Sequence, residues 1–161
     1  MPDMLVRLYA MPAACEAVQR LKQDGITIRR PQPYECSVVR RFIEKNFSET
    51  WADETMTAFS HQPVTAYIAV DGQRIVGFAA YECTRKDYFG PTGVLPEYRK
   101  RGIGLALLQM SLQGLADLGY AYAVIGGAGP VDFYAKAVGA EVIENSVPGI
   151  YTAPLPEEAQ E

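Results

Sequence analysis

The stretch from Tyr88 to Leu118 constrains the fold most, because it joins a β-rich run directly to a long helical one. The run "YFGPTGVLP" is interrupted by glycine and proline, which predicts an irregular strand with free backbone groups. From Ile103 to Leu118 the leucines recur at helical spacing, so the helix needs an apolar surface to pack against. A strand that feeds an amphipathic helix predicts a sheet covered by helices.

The turn between them, "RKRGIG" at residues 99–104, sets three cations against two glycines in a chain that is acidic overall. The sequence has 19 Asp and Glu against 15 Lys and Arg, a formal net charge of -4. Backbone N–H groups at a helix start lack partners, and the helix dipole adds about half a positive charge there. Gly102 and Gly104 let an anion approach the main chain. The turn predicts a phosphate site, and a solvated basic run is the alternative.

The rest of the chain supplies further elements. The segment "VTAYIAVDGQRIVGFAAYEC" predicts a hairpin that turns at Asp71 and Gly72. For residues 48–62 the sequence predicts either a helix or a loop. Helices are expected at 13–25, 34–47 and 130–138, and strands at 4–10, 26–30, 121–127, 141–144 and 149–153.

Length and charge bound the class of protein. A chain of 161 residues predicts one globular domain, which we place at residues 1–153 with a flexible tail at 154–161. The net charge of -4 gives no general attraction to nucleic acid or to a membrane surface. No run approaches the roughly 20 apolar residues that span a bilayer. Residues 1–25 predict a strand and a helix at the N-terminus, which would extend the sheet or make a homodimer contact.

The sequence lacks the motifs of several classes of enzyme and metal site. The three cysteines are widely spaced, which predicts free thiols in a reducing cytoplasm. His61 is the only histidine, so a multi-histidine metal site is excluded, and no GxSxG nucleophile elbow occurs. The P-loop pattern is absent, and Leu107 replaces the third glycine of GxGxxG, so nucleotide hydrolysis and hydride transfer are disfavoured. A nucleotide-binding enzyme is kept as a minor alternative.

The segment 92–108 resembles motif A of the GCN5-related N-acetyltransferase (GNAT) family. Arg99, Gly102 and Gly104 fit the family signature R/Q-x-x-G-x-G/A for the pyrophosphate of coenzyme A, and "V-x-P-x-Y-R" precedes it. The order of elements from Ile26 to Tyr151 also follows the family. The resemblance implies an α/β (α+β) fold, with a mixed, twisted sheet, helices on both faces and splayed central strands.

The same resemblance implies an activity and a cofactor site. The chain would move an acetyl group from acetyl-CoA to a primary amine of a small molecule or peptide, by direct transfer in a ternary complex without a metal. The Val94 N–H would polarise the thioester carbonyl. The implied coenzyme-binding residues are Gly93, Val94, Leu95, Arg99, Lys100, Arg101, Gly102, Ile103, Gly104 and Leu105.

Tyr134 matches the tyrosine that protonates the departing thiolate in the family. A phenol of pKa about 10 can do this only with tight geometry. The surrounding motif departs from the family pattern, with Gly127 and Pro130 where asparagine and alanine are usual. A packed aromatic beside Phe133 is the alternative reading of Tyr134. The departures also keep open a catalytically inactive acyl-CoA sensor or interaction module.

Glu82 is the candidate general base, because family members use a carboxylate near a central strand. A solvent-facing residue is the alternative, and Asp87 and Glu97 are less well placed. Four aromatic residues are candidates for lining the acceptor pocket: Trp51, Tyr67, Tyr81 and Tyr88. The alternative is that they belong to the hydrophobic core.

Overall fold

The computed structural model describes residues 1–156. Within them the helices are α1 Cys15–Gln23, α2 Cys36–Asn46, α3 Glu49–Met56, α4 Ile103–Asp117 and α5 Val131–Val138. The strands are β1 Met4–Arg7, β2 Ile26–Arg29, β3 Ala66–Asp71, β4 Arg74–Tyr81, β5 Tyr88–Val94, β6 Tyr122–Ile125 and β7 Glu141–Val142.

The seven strands form one mixed sheet in the order β2-β3-β4-β5-β6-β1-β7. All neighbours are antiparallel except β5 and β6, which run parallel. The predicted hairpin joins β3 to β4 through Gly72, whose φ of 60° is in the left-handed region that glycine tolerates. The fold class predicted from the sequence is confirmed.

The two faces of the sheet carry different helices, because side chains alternate along each strand. Tyr67 and Ala69 pack in a large cluster with residues of α1 and α4. Ile68, between them, faces the other way and packs with Val39 of α2 and Ala52 of α3. Helices therefore cover both faces, as predicted.

Helix α4 anchors the larger cluster. Four of its leucines are at most 1% exposed: Leu107, Leu108, Leu112 and Leu115. Burying each contributes about 1.5–3 kcal/mol, so the helix is fixed firmly on the sheet. Tyr81 of β4 lies where a Cβ on Gly114 would sit, so α4 and β4 approach closely at this glycine. The start of α4 is thus held in a fixed position relative to β5.

The N-terminal strand lies inside the sheet. β1 pairs with β6, from Met4↔Ile125 to Arg7↔Tyr122, and on its other side with β7. The strand predicted at 4–10 ends at Arg7, where a turn of 3-10 helix begins. This placement of β1 fits the prediction that residues 1–25 extend the sheet. The homodimer contact stays a prediction.

The strand predicted at 149–153 is wrong, because those residues form turns and bends. The position beside β6 is occupied by β1, and Gly149 has a left-handed φ of 66°. Most of the predicted tail, residues 157–161, lies outside the described residues. No helix within residues 1–156 has the length and hydropathy to cross a membrane.

Candidate functional site

A cleft opens where β5 and β6 separate. These strands pair only at Tyr88↔Val124 and Phe89↔Ile125, after which β6 ends and β5 continues to Val94. Within the part of the chain that the structure describes, the edge of β5 that faces β6 therefore has no partner strand beyond Phe89. The predicted splayed central strands are confirmed.

The strand β5 is also irregular, as predicted. Its register with β4 shifts between Ala79↔Thr92 and Tyr81↔Phe89. Two residues, Gly90 and Pro91, therefore oppose the single Ala80 on the partner strand, which is a β-bulge. A bulge at the point where a strand leaves its neighbour changes the direction of the backbone groups that follow it.

Alternation along β5 shows which backbone groups face the cleft. The Leu95 N–H donates to the Val76 carbonyl at 2.9 Å, so it points to β4. In an antiparallel pair the N–H and C=O of successive residues point to opposite sides. The N–H groups of Val94 and Thr92 therefore point into the cleft. The Arg99 Nε donates to the Val94 carbonyl at 3.2 Å, which places that carbonyl on the same open side.

Thr92 is a residue that sequence reasoning missed. The signal was available, since its N–H lies two residues before that of Val94 and must point the same way in a strand. Gly93 lies between them and points to the opposite face. There a Cβ would meet the Phe47 ring at 2.5–2.9 Å, so glycine is required for Phe47 to lie against β5.

The turn that leads into α4 exposes backbone donors. Gly102 is the N-cap of the helix, with a left-handed φ of 86°. The first helical hydrogen bond runs from the Ala106 N–H to the Gly102 carbonyl. The N–H groups of Ile103, Gly104 and Leu105 consequently have no partner within the helix. A Cβ on Gly102 would meet nothing within 4 Å, and one on Gly104 only the Val94 side chain at 3.9 Å.

Positive charge surrounds these donors without a counter-charge. Arg99, Lys100 and Arg101 are exposed, and none of them belongs to an ion pair among residues 1–156. The Arg101 guanidinium lies 5.2 Å from the centre of the Tyr98 ring. Open space, free N–H groups and unpaired cations fit a bound diphosphate.

The turn itself is fastened to the β3–β4 hairpin. The Tyr98 hydroxyl donates to Asp71 Oδ2 at 2.7 Å, and Arg74 pairs with Glu97 at 2.9 Å. The predicted residue Leu95 is 4% exposed and anchors the start of the turn in the core. Ile103 is 1% exposed and anchors its end. These two side chains support the turn, and only their backbone can reach a ligand.

Tyr134 lies at the closed end of the cleft. Its ring packs edge-on against Phe89, the last residue of β5 that pairs with β6, at a centroid distance of 6.3 Å. It also contacts Phe133 at 5.3 Å and is 6% exposed. Burial raises the pKa of the Tyr134 hydroxyl to about 12. The ring is packed as the alternative interpretation expects, and its contact with Phe89 places it next to the β5–β6 junction. The catalytic role of its hydroxyl stays a prediction.

Glu82 lies one residue past β4, in the loop that leads to β5. It has a left-handed φ of 59°, and its Oε1 accepts the Asp87 N–H. Asp87, judged less well placed from the sequence, has a buried Oδ1 without a hydrogen-bond partner among the described residues. Burial and the neighbouring Glu82 raise the pKa of Asp87 to about 6. The Val124 N–H donates to the Asp87 backbone carbonyl at 2.9 Å, so the Asp87 backbone lies beside the β5–β6 junction.

The four aromatic candidates divide between core and surface. Tyr67 and Tyr81 are buried, stack at 6.4 Å and lie beneath the Arg30 guanidinium, so they belong to the core. Trp51 is 38% exposed and stacks on Phe47 at 5.9 Å. This pair forms an apolar wall on the face of β5 at Gly93. Tyr88 is half-buried at the junction of β5 and β6.

The geometry matches a known family. The model of the Acetyltransferase (GNAT) family matches residues 36–140, which include the turn, both cleft strands and Tyr134. The chain belongs to the GNAT acetyltransferase family. The resemblance seen in segment 92–108 is thereby confirmed.

Solved structures support the GNAT fold. The glucosamine N-acetyltransferase region of a fungal multidomain GH3 β-N-acetylglucosaminidase has a TM-score of 0.71 at 16% identity, over 88% of this chain and 19% of that one. A GNAT protein from Sphaerobacter thermophilus has a TM-score of 0.65 at 24% identity, over 88% and 48%. A Brucella melitensis GNAT acetyltransferase in complex with acetyl-CoA has a TM-score of 0.55 at 21% identity, over 69% and 80%.

The chain spans about a fifth and about half of the length of the first two of these proteins. Among curated proteins, none matches the sequence.

Proposed function

We propose that this GNAT protein is an acetyl-CoA-dependent N-acetyltransferase that acts on a primary amine. The observation that carries the proposal is the turn before α4. There, free N–H groups and three cations that belong to no ion pair among residues 1–156 surround open space, in a chain of net charge -4. Among residues 1–156, no carboxylate forms an ion pair with Arg99, Lys100 or Arg101, which suits a diphosphate as the partner of these cations.

The chain would hold the donor along β5. The N–H groups of Ile103, Gly104 and Leu105 bind the diphosphate, and Arg99 and Arg101 neutralise its charge. The pantetheine amides then pair with the cleft edge of β5, in the place that β6 leaves empty. This use of a strand edge needs no rearrangement, because the β5 backbone is already extended there.

Two N–H groups of β5, those of Thr92 and Val94, are candidates for the hydrogen bond to the thioester carbonyl. Tyr134 contacts Phe89, and along β5 Thr92 follows Phe89 by three residues and Val94 by five, so Thr92 is the nearer of the two. Since the sulfur must be near Tyr134, we assign the carbonyl to the Thr92 N–H and the pantetheine to Val94. Stabilisation of the developing oxyanion by such a fixed N–H is worth about 3–4 kcal/mol in other enzymes.

Tyr134 acts on the departing thiolate. With a pKa of about 12, its hydroxyl is a weaker acid than the coenzyme thiol, whose pKa is about 8.5. Complete transfer of the proton would be unfavourable by about 3.5 pKa units, or about 5 kcal/mol. We therefore assign Tyr134 the role of a hydrogen-bond donor that stabilises the thiolate as the C–S bond breaks. The thiolate leaves the site and takes its proton from water.

The base that deprotonates the amine is a carboxylate of the 82–87 loop. Asp87 has a pKa near neutrality, and a base is most effective when its pKa lies near the operating pH. Glu82 would then act by holding the Asp87 backbone and by raising the Asp87 pKa through its own charge. If Glu82 itself is the base, its replacement removes the titration instead of moving it.

The acceptor is proposed as a cationic amine, because the chain is acidic. The test measures free thiol released from acetyl-CoA with glucosamine, spermidine and a lysine-containing peptide. Saturable thiol release with at least one of these amines supports the proposal. If acetyl-CoA protects the protein against heat but no amine releases thiol, the chain is an acyl-CoA sensor instead of an enzyme.

A further inference from the structure

The loop between β6 and α5 is held by the residues that precede β1. The Gly127 N–H donates to Asp3 Oδ1 at 2.8 Å, and the Ala128 N–H donates to the Pro2 carbonyl at 2.7 Å. Two successive backbone donors of the loop are therefore bound by one short segment from the other end of the chain.

Asp3 is itself fixed in place. The residue is 8% exposed, its N–H donates to Ser146 Oγ at 2.8 Å, and its carbonyl accepts the Ile143 N–H at 2.9 Å. The next residue, Met4, pairs with β6 on one side and β7 on the other. Asp3 also belongs to no ion pair among residues 1–156. Among the described residues, the Asp3 carboxylate accepts one hydrogen bond, from the Gly127 N–H, and the Asp3 backbone is itself held by hydrogen bonds to Ser146 and Ile143.

The loop determines where α5 begins. Gly127 lies three residues before Pro130, the N-cap of the helix, and the Tyr134 N–H donates to the Pro130 carbonyl at 3.2 Å. Helix α5 has eight residues, a length at which a helix is not stable without tertiary contacts. Its position depends on how its first residues are held. The contact from Asp3 to Gly127 is thus close to the backbone that carries Tyr134.

Resting on the proposed role of Tyr134, we propose that Asp3 is a positioning residue for acetyl transfer. Its carboxylate holds Gly127, and through the short segment to Pro130 it sets where the Tyr134 hydroxyl lies in the cleft. The strand β1 then has a catalytic purpose, since it brings this carboxylate beside the loop. The donor site at the turn before α4 does not involve Asp3.

The test is a double-variant cycle on kcat and KM, with acetyl-CoA and whichever of glucosamine, spermidine and the lysine peptide gives the highest rate. Asp3→Ala lowers kcat by about tenfold or more, as expected for a displaced catalytic group, and leaves the KM for acetyl-CoA unchanged. In the Tyr134→Phe background the same substitution has no further effect on kcat. Asp3→Asn keeps an oxygen that accepts the Gly127 N–H, so its kcat lies between those of the wild type and Asp3→Ala.

Arg7→Ala is the matched control for a loosened β1, since it removes an exposed ion pair to Glu141 at the far end of the same strand. We expect its kcat to match that of the wild type, because exposed pairs contribute little to stability. If Asp3→Ala does not fold, Asp3→Asn in both backgrounds completes the cycle.

The possible failures are distinguishable. Equal losses of kcat from Asp3→Ala with and without Tyr134, an unchanged kcat, or a loss matched by Arg7→Ala overturns the positioning role alone. Wild-type kcat in Tyr134→Phe overturns the role of Tyr134 and the inference about Asp3 together. Absence of thiol release with every amine overturns the proposed function and this inference with it.

Discussion

Replacement of Gly102 by alanine separates the anion site from the general stability of α4. Gly102 has a φ of 86°, and Gly119, just beyond the other end of the same helix, has a φ of 100°. A Cβ at either position would meet nothing within 4 Å, so neither alanine clashes with the protein. Both variants are therefore strained only by the left-handed backbone. Gly119 is the matched control.

The strain of a non-glycine residue in this region costs about 1–2 kcal/mol, which both variants lose from the free energy of unfolding. For a chain of this size, that lowers Tm by roughly 2–8 °C. Only at Gly102 is the new methyl group at the N-terminus of α4, next to the proposed diphosphate site. The loss of one charge-assisted hydrogen bond, about 1.5–3 kcal/mol, raises the Kd for acetyl-CoA by about 10–100-fold.

The assay combines thermal unfolding with calorimetric titration of acetyl-CoA. We expect similar Tm values for Gly102→Ala and Gly119→Ala but a raised Kd for Gly102→Ala only. Equal Kd values in the two variants would refute the reasoning, because the open space at Gly102 would then not be where the donor binds.

Three further predictions concern the strand, the loop and the charge. Gly93→Ala places a Cβ 2.5 Å from the Phe47 ring and lowers the free energy of unfolding, measured in urea, by about 1–3 kcal/mol. Adding Phe47→Leu restores most of this loss; if it does not, the clash with the Phe47 ring is not its cause. The kcat/KM rises with pH, with a midpoint at about pH 6, as Asp87 loses its proton. The rise disappears in Asp87→Asn, and the midpoint moves to lower pH in Glu82→Gln. If the pH profile of kcat/KM is unchanged in both variants, the base is another group. Arg99→Ala weakens acetyl-CoA binding by about tenfold and reduces its salt dependence, whereas an unchanged salt dependence contradicts the charge assignment.

Features set by local chemistry could be predicted from the sequence. The hairpin turn at Gly72 and the helix start at Gly102 both need a left-handed backbone, which glycine supplies, and both occur where the pattern placed them. The irregularity of β5 followed from Gly90 and Pro91 in the same way. For these features the cause and the effect lie within a few residues of each other.

Features set by distant contacts could not be predicted in this way. The bond between Asp3 and Gly127 joins residues 124 positions apart, and no local pattern signals it. The sequence near residue 150 favours a strand by composition, but strand formation depends on tertiary context. Residues 149–150 form a turn instead, with Gly149 in the left-handed region at a φ of 66°.

The candidate site divides along the same line. The turn around Gly102 was recognised because charge and glycine are adjacent in the sequence. The Thr92 N–H requires the strand register, and the wall of Phe47 over Gly93 requires the packing of α2 on β5. The raised pKa of Asp87 depends on burial of its carboxylate, which spacing alone does not reveal.

The central claim is that backbone N–H groups at the start of α4 bind a diphosphate. Calorimetric titration of the wild-type protein and of Gly102→Ala with coenzyme A, and of the wild type with pantetheine, which lacks the diphosphate together with the 3′-phosphoadenosine, tests it most directly. The account predicts that coenzyme A binds and that pantetheine binds at least a hundredfold more weakly, a difference of about 3 kcal/mol. Equal affinity for the two compounds, or no heat with coenzyme A at millimolar concentration, would contradict it.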